Sequence, residues 1–288
     1  MIVSWAFAAS LLCVFAVIAY AVRNIKRANR VADHKETACS SPTCVRCRNY
    51  DRVLLAAALK LKNMDSVSTR VRMSMEKSQP LGCDPGQRPN VFAMASIRAK
   101  PWWPRDTFQT DFDVLESAVN SLRDEFEIAY SDKSALWQRN HTPSGQWDIF
   151  HFVNQGKLIE QNCKLCPKTF ATIDRLAHFL RSNVFGNASF SVIEPKSHIT
   201  PHFGPTNIRL RCHVALFVPP GCHMRVHAQS RQWVEGECLL FDDSFEHEVR
   251  HVGKREDGAR VVFMIDMWHP DITTEERRIL NELFKNDI

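Results

Sequence analysis

The spacing of apolar residues changes along the chain and separates helical from strand-forming regions. Apolar side chains recur every three or four positions from residue 111, within residues 169–181 and after residue 273, which predicts three amphipathic helices. Thr273 and Glu276 have the spacing of a capping box at the start of the third helix. Between the second and third helices the period falls to two, which indicates β-strands. The predicted strands are 189–193, 208–218, 223–227, 238–241 and 260–267.

These strands predict the fold class. Several short strands separated by turns, in one region, are typical of a jelly roll, in which two antiparallel sheets pack face to face. We therefore expect a mainly β fold, a double-stranded β-helix of the cupin-like type, with flanking α-helices. In the strand 208–218, Arg209, Arg211 and His213 share one face and apolar residues occupy the other. A guanidinium that points into a barrel needs an anion, because an unpaired buried charge is costly.

The N-terminal segment is apolar. Residues 2–22 form a run of 21 residues without a charge, which is long enough to cross a bilayer as a helix. The small residues Ala19 and Ala21 would also suit a cleaved signal peptide, but no basic residue precedes the run. A transmembrane anchor at residues 1–22 is the favoured interpretation, so we expect contact with the membrane through residues 2–22.

The orientation of this anchor is contested within the sequence. The cations that follow the run favour a cytosolic domain under the positive-inside rule. Two glycosylation sequons, at Asn140 and Asn187, favour a lumenal one. We expect a single-pass protein of the endoplasmic reticulum or secretory pathway with its domain in the lumen. The net charge of +5 is too diffuse to indicate nucleic acid as a partner.

Residues 23–105 are expected to form a stem, and residues 106–288 the folded domain. The stem opens with Cys39, Cys44 and Cys47, which could form disulfides, bind zinc with His34, or carry palmitoyl groups. Within the domain, Cys163 and Cys166 could form half of a zinc site, a redox pair or part of a disulfide framework.

Two histidines 45 residues apart are the candidate metal ligands. His202 lies in the sequence Pro-His-Phe-Gly-Pro, and His247 ends the sequence Asp-Asp-Ser-Phe-Glu-His. Each alone would be an ordinary histidine, but neutral imidazoles are good ligands for Fe(II), and strand cations lie between them. Many oxygenases of this chemistry have a carboxylate two residues after the first histidine, where this chain has Gly204. Asp242 or Asp243 could supply that ligand, although binding turn amides is the simpler role for both.

Residues 108–272 resemble the aspartyl/asparaginyl β-hydroxylase domain. The stretches that carry the resemblance are 145–147, 191–195, 201–213, 241–247, Arg260 and 266–270. Residues 163–169 also match the short, membrane-anchored members that contain only this domain.

The resemblance implies a set of site residues and a reaction. His202 and His247 would bind Fe(II), and Arg260 would meet the far carboxylate of 2-oxoglutarate. Further contacts to this cosubstrate would come from Arg211, His213, Ser191 and Trp147. The implied reaction converts 2-oxoglutarate to succinate and hydroxylates a C–H bond, here on Asp or Asn side chains of a protein or peptide substrate.

The resemblance leaves two questions open. In the related hydroxylase the cysteine that matches Cys163 is disulfide-linked to a cysteine without a counterpart here, so Cys166 could replace that partner. The larger relatives also have a helical repeat region that helps to hold the substrate, and the stem cannot supply one. The alternative function is a membrane-anchored jelly-roll binding module without turnover.

Overall fold

In this computed structural model, residues 50–76, 84–131, 136–140 and 142–286 are described. The expected anchor and the cysteines of the early stem lie outside these residues. Within them, no helix has the length and apolar character needed to cross a membrane.

Two antiparallel sheets form the centre of the described domain. The larger sheet has the order β1-β10-β7-β12-β5-β3-β2, with β4 paired to β3, and the smaller has the order β6-β11-β8-β9. From β5 onward the chain alternates between the sheets in the order of a double-stranded β-helix. The bounds are β1 Trp102–Trp103, β2 Gln138–Asn140, β3 Trp147–Asn154, β4 Lys157–Leu158, β5 Ala188–Ile193, β6 Ser197–His202, β7 Arg209–Phe217, β8 Cys222–Val226, β9 Gln229–Arg231, β10 Cys238–Phe241, β11 His247–His251 and β12 Arg260–Trp268.

The five predicted strands are present as β5, β7, β8, β10 and β12, with ends shifted by one residue or less. Alternation did not predict β3, β6 and β11. Six of the eight positions of β3 are buried, on both of its faces, so its sequence has no period of two. β6 and β11 place histidines at inward positions, where the rule expects apolar residues.

Helices cover the outside of the larger sheet. They are α1 Tyr50–Lys62, α2 Thr69–Glu76, α3 Gln109–Ser117, α4 Val119–Ser131, α5 Glu160–Leu165, α6 Pro167–Asp174 and α7 Thr274–Leu283. The predicted capping box of α7 is confirmed. The helix predicted over residues 169–181 ends earlier, at Asp174, because the Asp111 carboxylate accepts hydrogen bonds from the backbone N–H groups of Ala177 and His178.

The second half of the expected stem packs on the domain. Val53, Ala57 and Leu61 of α1 share an apolar cluster with Ile279 and Leu280 of α7. The packing therefore has no break near residue 105, in contrast to the expected boundary. Amphipathic spacing in α1 was visible in the sequence, but its burial depends on a helix more than 200 residues later.

Residues 84–98, which we call the strap, lie along the loops that flank β6 and β10. Arg88 N donates to Ser244 O at 2.9 Å, and Val91 N donates to Pro205 O at 3.0 Å. The Asn207 amide donates to and accepts from the backbone of Met94. The strap therefore supports the two loops next to His202 and His247.

Both sequon asparagines are buried. Asn187 is fully buried, and its amide nitrogen donates to Asp266 Oδ2 at 2.7 Å. Asn140 is 7% exposed. A glycan on the Asn187 amide would break its contacts with Asp266, so this sequon offers no support for a glycosylated domain in the folded chain.

Candidate metal and cosubstrate site

The two candidate metal ligands face each other across the smaller sheet. His202 of β6 is paired directly with His247 of β11, and their ring centroids are 4.1 Å apart. The register between β6 and β11 shifts after His247, so both imidazoles lie on the inner side of the sheet. The structure therefore brings these two side chains together, as the sequence led us to expect.

Backbone carbonyls orient both rings. Nδ1 of His202 is 2.8 Å from Thr200 O, and Nδ1 of His247 is 3.0 Å from Phe245 O. When Nδ1 donates to these carbonyls, Nε2 is the nitrogen whose lone pair can bind a metal. Burial, together with the neighbouring His202, lowers the pKa of His247 to about 3, so its imidazole is neutral at physiological pH. The pair fits the requirements of a divalent metal that prefers nitrogen ligands.

Asp243 occupies the space that a side chain at position 204 would need. A Cβ built on Gly204 would lie 2.6 Å from the carboxyl carbon of Asp243. Gly204 N also donates to Asp243 O. Within the described residues, no group of three or more His, Cys, Asp or Glu side chains is arranged to hold a metal. A third carboxylate ligand at position 204 would therefore need Asp243 to move.

Asp243 belongs instead to a buried ion-pair network. Arg209 pairs with Asp243 and, at 3.0 Å, with Asp266. Arg211 pairs with Asp266 at 2.8 Å and with Asp243 at 3.4 Å. Burial lowers the pKa of the Arg211 guanidinium, but the carboxylates of Asp266 and Asp243 outweigh it and raise this pKa. The expectation that Arg211 needs a ligand anion is therefore wrong, because two protein carboxylates already balance its charge.

Arg260 has no such carboxylate. It is 1% exposed, and its Nε and Nη1 have no hydrogen-bond partner among the described residues. Its guanidinium lies 5.0 Å from the ring centroid of Trp233. Burial lowers the pKa of Arg260 to about 10, and the guanidinium stays charged at neutral pH. An unpaired buried guanidinium of this kind favours an anion within reach.

His213 lies between these cations. It faces Met264 of β12 and Leu239 of β10 in the larger sheet, and its ring packs edge-on against Phe241. Burial and the charges of Arg260 and Arg211 lower the pKa of His213 well below its usual range. Its Nε2 has no hydrogen-bond partner among the described residues.

Trp147 and Ser191 meet on adjacent strands. Trp147 Nε1 donates to Ser191 Oγ at 3.1 Å. Trp147 of β3 and Arg260 of β12 are both paired with Ile193, one on each side of β5. These residues therefore surround one end of the barrel, together with the guanidinium of Arg260.

Sequence reasoning did not assign three of the side chains that shape this site. Asp266 and Arg209 balance charge, and Trp233 contacts both His213 and Arg260. An Asp at an inward position of the last strand was an available signal, since a buried carboxylate needs a cation. Trp233 carried no such signal, because it lies in a polar connection between strands.

The described cysteines are free thiols. Cys163 Sγ donates to Phe152 O at 3.7 Å, and Cys166 Sγ donates to Glu125 O at 3.6 Å. Burial raises the pKa of Cys163 to about 11 and that of Cys166 to about 12. The structure thus has neither the disulfide nor the zinc half-site considered for this pair, since each thiol points to a different carbonyl.

Comparison with known proteins identifies the family. The family described as aspartyl/asparaginyl beta-hydroxylase matches residues 116–270. The chain belongs to the aspartyl/asparaginyl β-hydroxylase family. The matched residues include β5 to β12, and with them every residue of the candidate site described above.

Relatives within the family cover most of the chain. Aspartate beta-hydroxylase domain-containing protein 2 of Rattus norvegicus is 40% identical over 261 residues, which are 85% of this chain and 75% of the relative. Aspartate beta-hydroxylase domain-containing protein 1 of Homo sapiens is 36% identical, over 76% of this chain and 58% of that protein. Aspartyl/asparaginyl beta-hydroxylase of Mus musculus is 36% identical, over 66% of this chain but 26% of its own length.

Similar solved structures include an oxidoreductase of the 2OG-Fe(II) oxygenase family from Burkholderia pseudomallei. It is 14% identical and covers 54% of this chain and 90% of its own, with a TM-score of 0.34. That likeness is too low to carry an argument about this member of the β-hydroxylase family.

Proposed function

We propose that this chain is an Fe(II)- and 2-oxoglutarate-dependent dioxygenase that hydroxylates Asp or Asn side chains of a protein or peptide substrate. The observation that carries the proposal is Arg260, a charged guanidinium buried in the barrel with two unpartnered nitrogens among the described residues. A carboxylate is the ligand that such a planar, forked donor binds best. Family membership supports the same type of chemistry.

The residues divide into two groups by role. Nε2 of His202 and Nε2 of His247 would hold the iron, and the carbonyls of Thr200 and Phe245 would keep both rings in that orientation. Arg260 would bind the distal carboxylate of 2-oxoglutarate. When bound, iron and 2-oxoglutarate supply the oxidising power for the hydroxylation.

The remaining side chains position the cosubstrate. His213 would donate through Nε2, and Ser191 would present its hydroxyl beside Trp147. Arg211 is held by Asp266, so it would contribute hydrogen-bond donors rather than an unbalanced charge. The apolar side chains inside the barrel, among them Ile199, Met224 and Val262, would keep water away from these contacts.

The decisive experiment is turnover of 2-oxoglutarate by the purified full-length chain. We expect succinate formation that needs Fe(II) and increases with peptides containing Asp or Asn, which gain the mass of one oxygen atom. Arg260→Ala should abolish turnover at low 2-oxoglutarate concentrations. Arg250→Ala is the matched control, because Arg250 lies 53% exposed and pairs with Glu248 on the same barrel. Binding of 2-oxoglutarate without turnover would contradict the proposal and support a binding module instead.

We also propose that residues 2–22 anchor the chain and that its domain lies in the lumen of the secretory pathway. The support is the uncharged run of 21 residues. The buried sequons remove glycosylation as a test of this topology. Protease treatment of intact microsomes replaces it, and digestion of the domain from outside would overturn the lumenal assignment.

A further inference from the structure

Trp233 enters the barrel from an exposed connection. Its side chain is 5% exposed, whereas the neighbouring residues Gln232 and Val234 are exposed. The connection joins β9 to β10 and turns at Gly236, which has a positive φ of 85°. Trp233 packs in the apolar cluster inside the barrel, with Trp102 and Phe241. A large aromatic side chain that a surface loop places in the barrel invites the question of what it contacts there.

The indole N–H of Trp233 determines which nitrogen of His213 carries the proton. Trp233 Nε1 donates to Nδ1 of His213 at 3.3 Å. An indole can only donate, so Nδ1 must present its lone pair. The neutral imidazole therefore carries its proton on Nε2, the nitrogen without a partner among the described residues.

The same indole ring contacts the second candidate cosubstrate ligand. The Trp233 and His213 rings are stacked at 15°, with centroids 6.1 Å apart. The Arg260 guanidinium lies 5.0 Å from the Trp233 ring, in the range of a cation–π contact. One side chain thus touches both the imidazole and the guanidinium that lack protein partners.

We propose that Trp233 is a positioning residue of the cosubstrate pocket, which fixes His213 as an Nε2 donor and supports Arg260 so that both can bind one dicarboxylate. This inference rests on the proposed function. Without the indole N–H, Nδ1 of His213 could take the proton. Nε2 would then be an acceptor, and its lone pair would repel a carboxylate oxygen instead of donating to it.

Trp233→Phe tests the inference, because phenylalanine keeps an aromatic ring and removes the N–H. In the wild-type chain labelled with ¹⁵N-histidine, we expect the His213 resonances of the Nε2–H tautomer, assigned by their loss in His213→Gln. In Trp233→Phe we expect a mixture of tautomers. The dissociation constant for 2-oxoglutarate, measured calorimetrically with Mn(II) in place of iron, should rise about tenfold, as for the loss of one hydrogen bond and part of a cation–π contact.

Trp137→Phe is the matched control. Its indole N–H donates to Ala129 O at 2.8 Å, outside the barrel, so this variant loses an equivalent hydrogen bond without touching His213. We expect it to bind 2-oxoglutarate as the wild type does. An unchanged tautomer and affinity in Trp233→Phe would overturn the role of Trp233 alone. A wild-type chain that binds no 2-oxoglutarate would overturn the proposed function, and the cosubstrate role of Trp233 with it.

Discussion

His202 and His247 lie opposite each other in the register of β6 and β11, with their ring centroids 4.1 Å apart. The two residues are 45 positions apart in sequence, and antiparallel pairing in the smaller sheet alone brings them together. Each ring is tied through Nδ1 to a carbonyl two residues earlier in its own strand. The pair is therefore oriented before any metal arrives.

Loss of His202 should remove metal binding. His202→Ala deletes one of two proposed ligands, and loss of an outer partner of a ligand alone costs about 10–100-fold in affinity. We expect Mn(II) affinity, measured by electron paramagnetic resonance, to fall by more than about 100-fold. His223→Ala is the control, because His223 is exposed on the neighbouring strand β8. Similar affinities in the two variants would argue against the site.

Arg211 and Arg260 should respond in opposite ways to the same substitution. Arg211→Met leaves the buried Asp243 and Asp266 without one of their cations, so we expect a loss of about 3–5 kcal/mol in the free energy of unfolding. Arg260→Met removes a buried charge without a carboxylate, so stability should be unchanged or higher.

Urea denaturation of the metal-free chain measures both variants, and each serves as the control of the other. Arg260→Met should also lose the thermal stabilisation that 2-oxoglutarate gives the wild type. A strongly destabilised Arg260→Met would mean that its guanidinium has a structural partner.

A side chain at position 204 should destabilise the domain. The Cβ of Gly204→Ala would lie 2.6 Å from the Asp243 carboxyl, and Asp243 is held by Arg209 and cannot move freely. We expect a cost of about 1–3 kcal/mol, the usual range for overpacking. Gly204→Asp should be less stable still, and should not gain metal affinity. Tighter Mn(II) binding by Gly204→Asp would show that Asp243 does yield the space.

Asp242 should make stability depend on pH. Burial raises its pKa to about 7, above the value of about 3.9 for an exposed aspartate. The folded chain thus keeps this proton to a higher pH than the unfolded chain. The stabilisation is complete below about pH 4 and is lost as pH rises through about 7, at up to about 1.4 kcal/mol per pH unit.

Asp242→Asn removes this titration. Its free energy of unfolding should fall less between about pH 5 and pH 8 than that of the wild type. The difference between the two chains isolates Asp242, since buried histidines titrate in both. Gln87 accommodates the change by turning its amide, because its Oε1 has no partner among the described residues. Parallel pH profiles would contradict the assignment.

The sequence by itself determined much of this protein. Alternation placed β5, β7, β8, β10 and β12, and the Thr273–Glu276 pair placed the start of α7. These features are encoded by neighbouring residues, whose spacing follows the geometry of a strand or a helix turn. The motif around His202 and the motif around His247 also identified the family, because their residue order is specific.

Only the tertiary structure decided the charge balance and the boundaries. Asp243 and Asp266 neutralise Arg211 across 32 and 55 positions, whereas Arg260 lacks such a partner, and no local pattern distinguishes the two arginines. Helix α1 is buried by α7, so it joined the domain rather than a stem. Trp233 reaches His213 from a polar loop. Contacts of this kind depend on how distant segments pack, and the spacing of residues along the chain does not contain that information.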